Sequence, residues 1–195
     1  PKRVPVMPNP RRLSLFLAPL MALLLGCASP DAPAVSSAPQ FNFKLTPAAL
    51  GRSLAWQQQL RISVDGKLQP PLQALLEADA HQVQLAVLAT GRLLARLRWD
   101  GERLDAERFA GWPAQIEPER VLSDLQLALW PLGALRAALP ADATLTQQGS
   151  LRLLRQQGQA LVSVRGAGSE HIEIEHHRLG YVLVIDSVPL EGEIR

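Results

Sequence analysis

One cysteine in 195 residues cannot form an internal disulfide, which excludes a disulfide-stapled scaffold and a zinc centre built on thiolates. Aromatic residues are scarce at 5%, and no Lys/Arg cluster with interleaved aromatics occurs, so the pattern of a nucleic-acid-binding surface is missing. The charges are few and nearly balanced, 20 Lys plus Arg against 18 Asp plus Glu, which excludes an acidic or basic disordered tail protein. The apolar run Leu13–Leu25 falls well short of the roughly 20 residues that a membrane-spanning helix needs. No internal repeat is visible. What the sequence does have is a 47% hydrophobic composition, enough for one packed domain at this length.

The charges are unevenly placed. Residues 1–26 carry Lys2, Arg3, Arg11 and Arg12 and no acid, followed by the short apolar run and small residues. That is the layout of a secretory signal, with Met7 as an expected start that keeps Arg11 and Arg12. Without it the chain holds 16 bases against 18 acids, so the basic pI of about 9.2 belongs to the export segment. The cleavage region Leu24-Leu25-Gly26-Cys27 resembles the bacterial lipobox, whose Cys becomes diacylated and N-terminal. By the sorting rule for such lipoproteins, Ala28 rather than Asp after Cys27 implies the outer membrane, facing the periplasm. Residues 28–40, rich in Pro, Ser and Ala, read as a flexible tether. The organisation expected is therefore a lipoprotein signal over 1–26, an acylated Cys27 with its tether over 27–40, and a folded domain over 41–195.

Within that domain, Trp56, Leu60, Ile62 and Val64 alternate with Gln57, Gln59, Arg61 and Ser63, the period of a half-buried strand. Asp65-Gly66 supplies a hairpin turn. Leu72–Asp79 continues as a less regular strand, and Val83, Leu85 and Val87 form another. Thr90-Gly91 turns the chain into Leu93, Ala95, Leu97 and Trp99, and Asp100-Gly101 turns it into Leu104 and Ala106. Strands separated by such turns predict an antiparallel meander rather than βαβ units.

The period then changes to 3.6. Glu117-Pro118-Glu119 suits a helix N-terminus, and Val121, Leu122, Leu125, Ala128 and Leu129 form an apolar stripe that Trp130-Pro131 ends or kinks. Leu132, Leu135, Ala138 and Leu139 suggest a second short helix before Pro140. Four further alternating stretches follow, at Leu151 and Leu153, at Val162 and Val164, at Ile172 and Ile174, and at Tyr181, Leu183 and Ile185. About five strands, a helical interruption and about four more strands predict a mainly β fold: one curved antiparallel sheet with helices packed into its concave side.

The lipobox, the tether, the strands flanking a helical insert and the segment from Val121 to Leu132 together resemble a family of short outer-membrane lipoproteins. That family is similar to LolA and LolB, the periplasmic carrier and outer-membrane receptor of lipoproteins, and its genes often lie near aryl polyene biosynthesis clusters. The likeness covers roughly residues 41–190, with the Leu-rich helix ending in Trp130-Pro131 as its most specific part. It implies a half-open β-barrel with a helical lid, enclosing an apolar cavity for acyl chains. On the strands the cavity would be lined by Trp56, Leu60, Ile62, Leu85, Val87, Leu97 and Trp99, and by Leu153, Val162, Ile174, Tyr181 and Leu183. On the helix it would be lined by Leu122, Leu125, Leu129 and Trp130. The turn Leu88-Ala89-Thr90-Gly91 is shorter and less apolar than the membrane-insertion loop of LolB-like receptors, so lipid binding alone is carried over. The implied partners are a lipid or acylated ligand, the outer membrane through the N-terminal acyl chains, and a periplasmic carrier. From the residues alone, the same apolar faces would also serve as a filled core. An envelope scaffold lipoprotein that binds a protein partner is therefore the alternative.

Enzymatic and metal chemistry find little support. His171, Glu173, Glu175 and His177 share one strand face while Ile172, Ile174 and His176 share the other, but residues six apart on a strand lie about 20 Å apart, too far to share one ion. Gly51-Arg52-Ser53-Leu54-Ala55 lacks the second glycine of a nucleophile elbow, and Gly66-Lys67 is followed by Leu68 rather than Ser or Thr. Gly166-Ala167-Gly168 precedes a strand, without the helix a dinucleotide site requires. A non-enzymatic protein with no cofactor is expected. Replacing Cys27 by Ser is expected to leave the domain folded while moving the protein from the membrane to the soluble fraction, read by membrane fractionation; retention of the variant on membranes would contradict acylation at Cys27.

Overall fold

The computed structural model describes residues 41–114 and 116–190. The expected signal segment, Cys27 and the tether lie outside the described residues. Phe41–Thr46 is an extended lead-in, and Pro47–Leu50 forms a short 3-10 turn. Six strands follow: β1 (Leu54–Val64), β2 (Lys67–Leu68), β3 (Leu72–Ala78), β4 (Val83–Ala89), β5 (Arg92–Trp99) and β6 (Leu104–Arg108). Helices α1 (Pro118–Leu129) and α2 (Leu132–Ala137) come next, then β7 (Ala143–Gln148), β8 (Leu151–Gln156), β9 (Gln159–Arg165), β10 (His171–His176) and β11 (Tyr181–Pro189).

All the strands join one antiparallel sheet in the order β6-β5-β4-β3-β1-β11-β10-β9-β8-β7, with β2 paired to β1 alone. Two meanders thus meet at the long β1–β11 pair, where Leu60 stands opposite Ile185 and Ile62 opposite Leu183. The helices connect the two free edges, β6 and β7, and the sheet does not close. The expected open, curved antiparallel sheet with helices is the fold observed. Among the described residues, no helix is long and apolar enough to cross a membrane.

Local chemistry explains most of this layout. Asp65-Gly66 and Thr90-Gly91 have positive φ at both central positions, as two-residue hairpins that match the sheet twist require. The Asp79 and Asp100 carboxylates each accept two backbone N–H groups in the β3–β4 and β5–β6 turns, at 2.7–2.9 Å. Those N–H groups, first among the influences on them, hold both carboxyls below the ordinary aspartate range. At the β6 edge, Asp105, Glu107 and Arg108 are exposed, so charge discourages further strand pairing. At the opposite edge α2 packs beside β7, and Arg136 Nε donates to the Leu145 carbonyl at 3.0 Å.

Two bulges bend the sheet. Leu94 is an extra residue between the pairs Leu88–Leu93 and Val87–Ala95, and Leu161 is one between Arg155–Ala160 and Leu154–Val162. Each bulge brings two consecutive side chains into the interior, Leu94 with Ala95 and Leu161 with Val162. The expected alternation through Leu93 and Ala95 is therefore broken, and Leu93 is only half-buried.

A second correction concerns β8. Leu151 and Leu153 were expected on the inward face, but Arg152 and Leu154 hold it, leaving Leu151 exposed and Leu153 half-buried on the other side. The reason is that Arg152 satisfies the end of α1: its Nη1 donates to Leu127 O at 2.6 Å and its Nε donates to Gln147 Oε1 at 2.9 Å. The two-residue strand β2 and all of β7 were not anticipated. The polar sequence of β7, Ala-Thr-Leu-Thr-Gln-Gln, conceals an alternation in which only Ala143 and Leu145 are buried.

The Gly166–Ser169 loop completes the cap of α1, since Gly168 N–H donates to Ala128 O at 2.9 Å. At Gly166 φ is +72°, and a Cβ there would lie 2.0 Å from His171 O. Gly158 has a similar φ of +78° but open space around it. Gly166→Ala is therefore expected to lower unfolding free energy by more than about 2 kcal/mol and Gly158→Ala by about 1 kcal/mol, measured by urea denaturation. Equal losses would contradict the steric argument.

Candidate functional site

Helix α1 lies against the concave face and is buried on nearly every side, from Leu122 through Leu129. Pro118 in its first turn matches the proline preference there, and Trp130, extended before Pro131, ends it. A helix so enclosed cannot keep a solvated polar face, yet this one carries Ser123, Asp124 and Gln126 inward. Each is answered by a specific partner. Ser123 Oγ accepts the Phe43 N–H at 3.0 Å, and the Gln126 amide both accepts from Leu45 N–H and donates to Leu45 O, at 2.9 and 2.8 Å. The Trp99 and Trp130 indoles donate to the Leu45 and Thr46 carbonyls at 2.7 and 3.1 Å. The extended segment before the 3-10 turn is thereby clamped under α1, with Phe43 fully buried.

Asp124 faces the opposite direction. Its two carboxylate oxygens both lie 2.9 Å from His176 Nε2, and Tyr181 OH donates to Oδ2 at 2.9 Å. The His176 and Tyr181 rings stack with centroids 4.3 Å apart. The carboxylate requires the hydrogen on Nε2, while the buried Nδ1 has no hydrogen-bond partner. Burial, then the adjacent carboxylate, raises the Tyr181 phenol far above its ordinary range, so it is a permanent donor. Asp124 and His176 are buried and Tyr181 is half-buried, and the chemistry of the three is that of a latch joining α1 to β10 and β11.

The concave face is not covered evenly. Along β1 the inward residues pass from buried Leu54, Trp56 and Gln58 to half-buried Leu60 and Ile62, then to exposed Val64. Along β11 the sequence runs the other way, from half-buried Tyr181 and Leu183 to buried Ile185 and Ser187, and the Ser187 hydroxyl accepts from Gln58 Nε2 at 3.0 Å. One end of the sheet is thus plugged by the clamped segment and α1, whereas the end toward the Asp65-Gly66 turn keeps an apolar strip in partial contact with solvent. On its other flank α1 meets β4, β5 and β6 mainly through apolar groups, apart from Glu117 at its N-cap, 3.7 Å from Arg108, and the Leu45 carbonyl shared by Trp99 and Gln126. Val83, Leu85, Leu97, Trp99, Leu104, Val121, Leu122 and Leu125 line a residual void of about 10 Å³ there, room for no more than one water.

Of the residues expected to line a cavity, Trp56, Leu85, Val87, Leu97, Trp99, Leu122, Leu125, Leu129, Trp130, Val162 and Ile174 come together as one buried cluster. Leu60 and Leu183 pack on its margin, and Ile62 and Tyr181 sit at the uncovered end. Leu153 does not join them. His176 falls on the inward face with Ile172 and Ile174, as the alternation implies, but its pairing with Asp124 was missed. The available signal was the polar residues Ser123, Asp124 and Gln126 within Leu122–Leu129, a stretch otherwise made of leucine and alanine. Of the remaining histidines, His81 is exposed in the β3–β4 turn, His171 Nδ1 meets Asp186 at 2.6 Å, and His177 lies 3.6 Å from Glu175. Among the described residues, no group of three or more His, Cys, Asp or Glu side chains is placed to hold a metal.

Residues 55–189 match the family described as Protein of unknown function (DUF3261). The chain belongs to the DUF3261 family. No curated protein matches it. The match begins inside β1 and ends with β11, so it takes in the whole sheet, both helices and the Asp124–His176–Tyr181 latch, while the clamped segment precedes it. Because Asp124 serves both the buried His176 and the half-buried Tyr181, Asp124→Ala is expected to lower stability by about 3 kcal/mol and Tyr181→Phe by about 1 kcal/mol in urea denaturation. A Tyr181→Phe loss as large as that of Asp124→Ala would contradict the shared-acceptor geometry.

Proposed function

We propose that this DUF3261 protein is a non-enzymatic, outer-membrane-anchored lipoprotein facing the periplasm, which holds an acyl chain or another long apolar molecule in its concave face, in lipid or lipoprotein traffic. The observation that carries the reading is the graded burial of that face, an apolar strip closed at one end and left half-uncovered at the other. The unclosed sheet with α1 inside it also fits the layout that the resemblance to LolA and LolB implies.

The ligand would enter along Leu60, Ile62 and Leu183 and lodge between α1 and strands β4–β6. A void of about 10 Å³ is far too small for an acyl chain, so α1 must separate from β4–β6 as the ligand enters. The distribution of polar contacts favours movement on that flank. On that flank the polar links are the exposed Glu117–Arg108 pair and the Leu45 carbonyl shared by the Trp99 indole and the Gln126 amide, whereas on the β10–β11 flank separation would leave Asp124, His176 and Tyr181 unsatisfied.

The alternative, an envelope scaffold lipoprotein, draws on a different observation. Most of the concave face is filled by the protein's own side chains, and Leu75 and Val188 are exposed on the convex side, flanking Gln57 across β3, β1 and β11. Displacement of a fluorescent fatty-acyl probe from the purified full chain separates the two. Saturable binding is expected, weakened at least about tenfold by Ile62→Glu, which places a charge in the path of the chain at a half-exposed position that tolerates it. A protein with no affinity for the probe, and none for lipids extracted from the envelope, would contradict the lipid-binding reading.

A further inference from the structure

Arg152 and Arg120 lie at opposite ends of α1, and they are used differently. Arg152 is buried, and its guanidinium is engaged by the helix carbonyls and Gln147. Arg120 is half-buried and, among the described residues, its guanidinium makes no hydrogen bond and no ion pair. The nearby acids do not take it up. Glu117 lies 3.7 Å from Arg108, and the Asp124 carboxylate, one helical turn along, already accepts from His176 and Tyr181. Arg120 is also the third residue of α1, where a cation opposes the helix dipole. Burial weakens its hold on its proton, and Asp124 and Tyr181 beside it act in the opposite sense. Helix stability therefore does not explain an arginine here.

Its location suggests another use. Arg120 precedes Asp124 by one helical turn, and Asp124 is bonded to Tyr181, which stands at the end of the concave face where Leu60, Ile62 and Leu183 remain half-uncovered. A fixed cation with free donors next to an apolar strip is the complement of an acidic amphiphile. We propose that this end of the concave face binds the anionic headgroup of an amphiphile, a carboxylate or a phosphate, through the Arg120 guanidinium, while its chain runs along Leu60, Ile62 and Leu183. The proposal rests on the lipid-binding reading and specifies its ligand class. A planar guanidinium satisfies two oxygens of either group at once, which a neutral alcohol or ester cannot offer.

The test compares palmitate, hexadecyl phosphate, hexadecanol and inorganic phosphate as competitors of a neutral fluorescent acyl ester on the full chain. The wild type, Arg120→Gln and Arg120→Lys are each checked for an unchanged melting temperature. Palmitate or hexadecyl phosphate is expected to bind at least about tenfold more tightly than hexadecanol, with Arg120→Gln abolishing that preference but leaving hexadecanol within about twofold, and Arg120→Lys keeping part of it. Equal affinity for acids and alcohol in the wild type, or an unchanged preference in Arg120→Gln, overturns the headgroup assignment while hexadecanol binding keeps the lipid reading intact. Inorganic phosphate competing as well as hexadecyl phosphate also overturns it, because the site would then recognise an anion without its chain. Failure of all the chain-bearing probes overturns both proposals. Should Arg120→Gln fail to fold, the Arg120→Lys preference decides, and one equal to that of the wild type counts against a bidentate contact.

Discussion

A helix enclosed by its own protein must have every buried polar group answered, and α1 is the element on which that requirement falls. Ser123, Asp124 and Gln126 enter an interior where an unpartnered amide or carboxylate would cost several kcal/mol, of the order of a small domain's net stability. The partners come from distant parts of the chain: the backbone of Phe43 and Leu45, His176 on β10, and Tyr181 on β11. Arg152 and the Gly168 N–H satisfy the carbonyls at the end of the helix. The lead-in segment, the inward face of β8 and the Gly166–Ser169 loop all take their form from serving this one helix.

The same requirement makes α1 asymmetric. Toward β10 and β11 its contacts are direct side-chain hydrogen bonds of fixed direction; toward β4, β5 and β6 they are mostly leucine, valine and tryptophan surfaces, with Trp99 linked to the helix through the Leu45 carbonyl that Gln126 also holds. Apolar surfaces can part and repack around another chain, whereas a carboxylate shared by an imidazole and a phenol cannot leave without stranding both. The bulges at Leu94 and Leu161 add curvature on both sides of the helix, giving it a hollow in which to sit. The fold thus joins a latched flank to a greasy one, and a concave face that is plugged at one end to an uncovered apolar strip at the other.

Much of the architecture was legible because it depends on local rules. Period-two patterns with Asp-Gly and Thr-Gly turns marked most of the strands, and the switch to period 3.6 with Pro118 and Trp130-Pro131 located α1. The same rules failed where tertiary demands override alternation. Arg152 occupies an inward position of β8 to cap a helix, so the neighbouring leucines lie on the unexpected side. Leu161 and Leu94 face inward because bulges break the period. β7 was missed because a short edge strand with only two buried residues carries little hydrophobic signal. The lining residues were mostly legible as apolar, but whether they enclose space or fill it depends on how much of the hollow α1 and Phe43 occupy.

The sequence by itself determined the strand and helix periods, the turns between them, the apolar surplus that suits a packed core, and the lone Cys27 following Gly26. These follow from residue types at fixed spacing and need no knowledge of what lies opposite. Only the tertiary structure decided that Asp124 meets His176 and Tyr181 across more than fifty residues, that Gln126 holds the backbone of Leu45, and that Arg120 has no counter-ion among the described residues. Hydrogen bonding and ion pairing act over about 3–4 Å, so partners far apart in the chain become definite only when the sheet curves around α1 and brings them within reach.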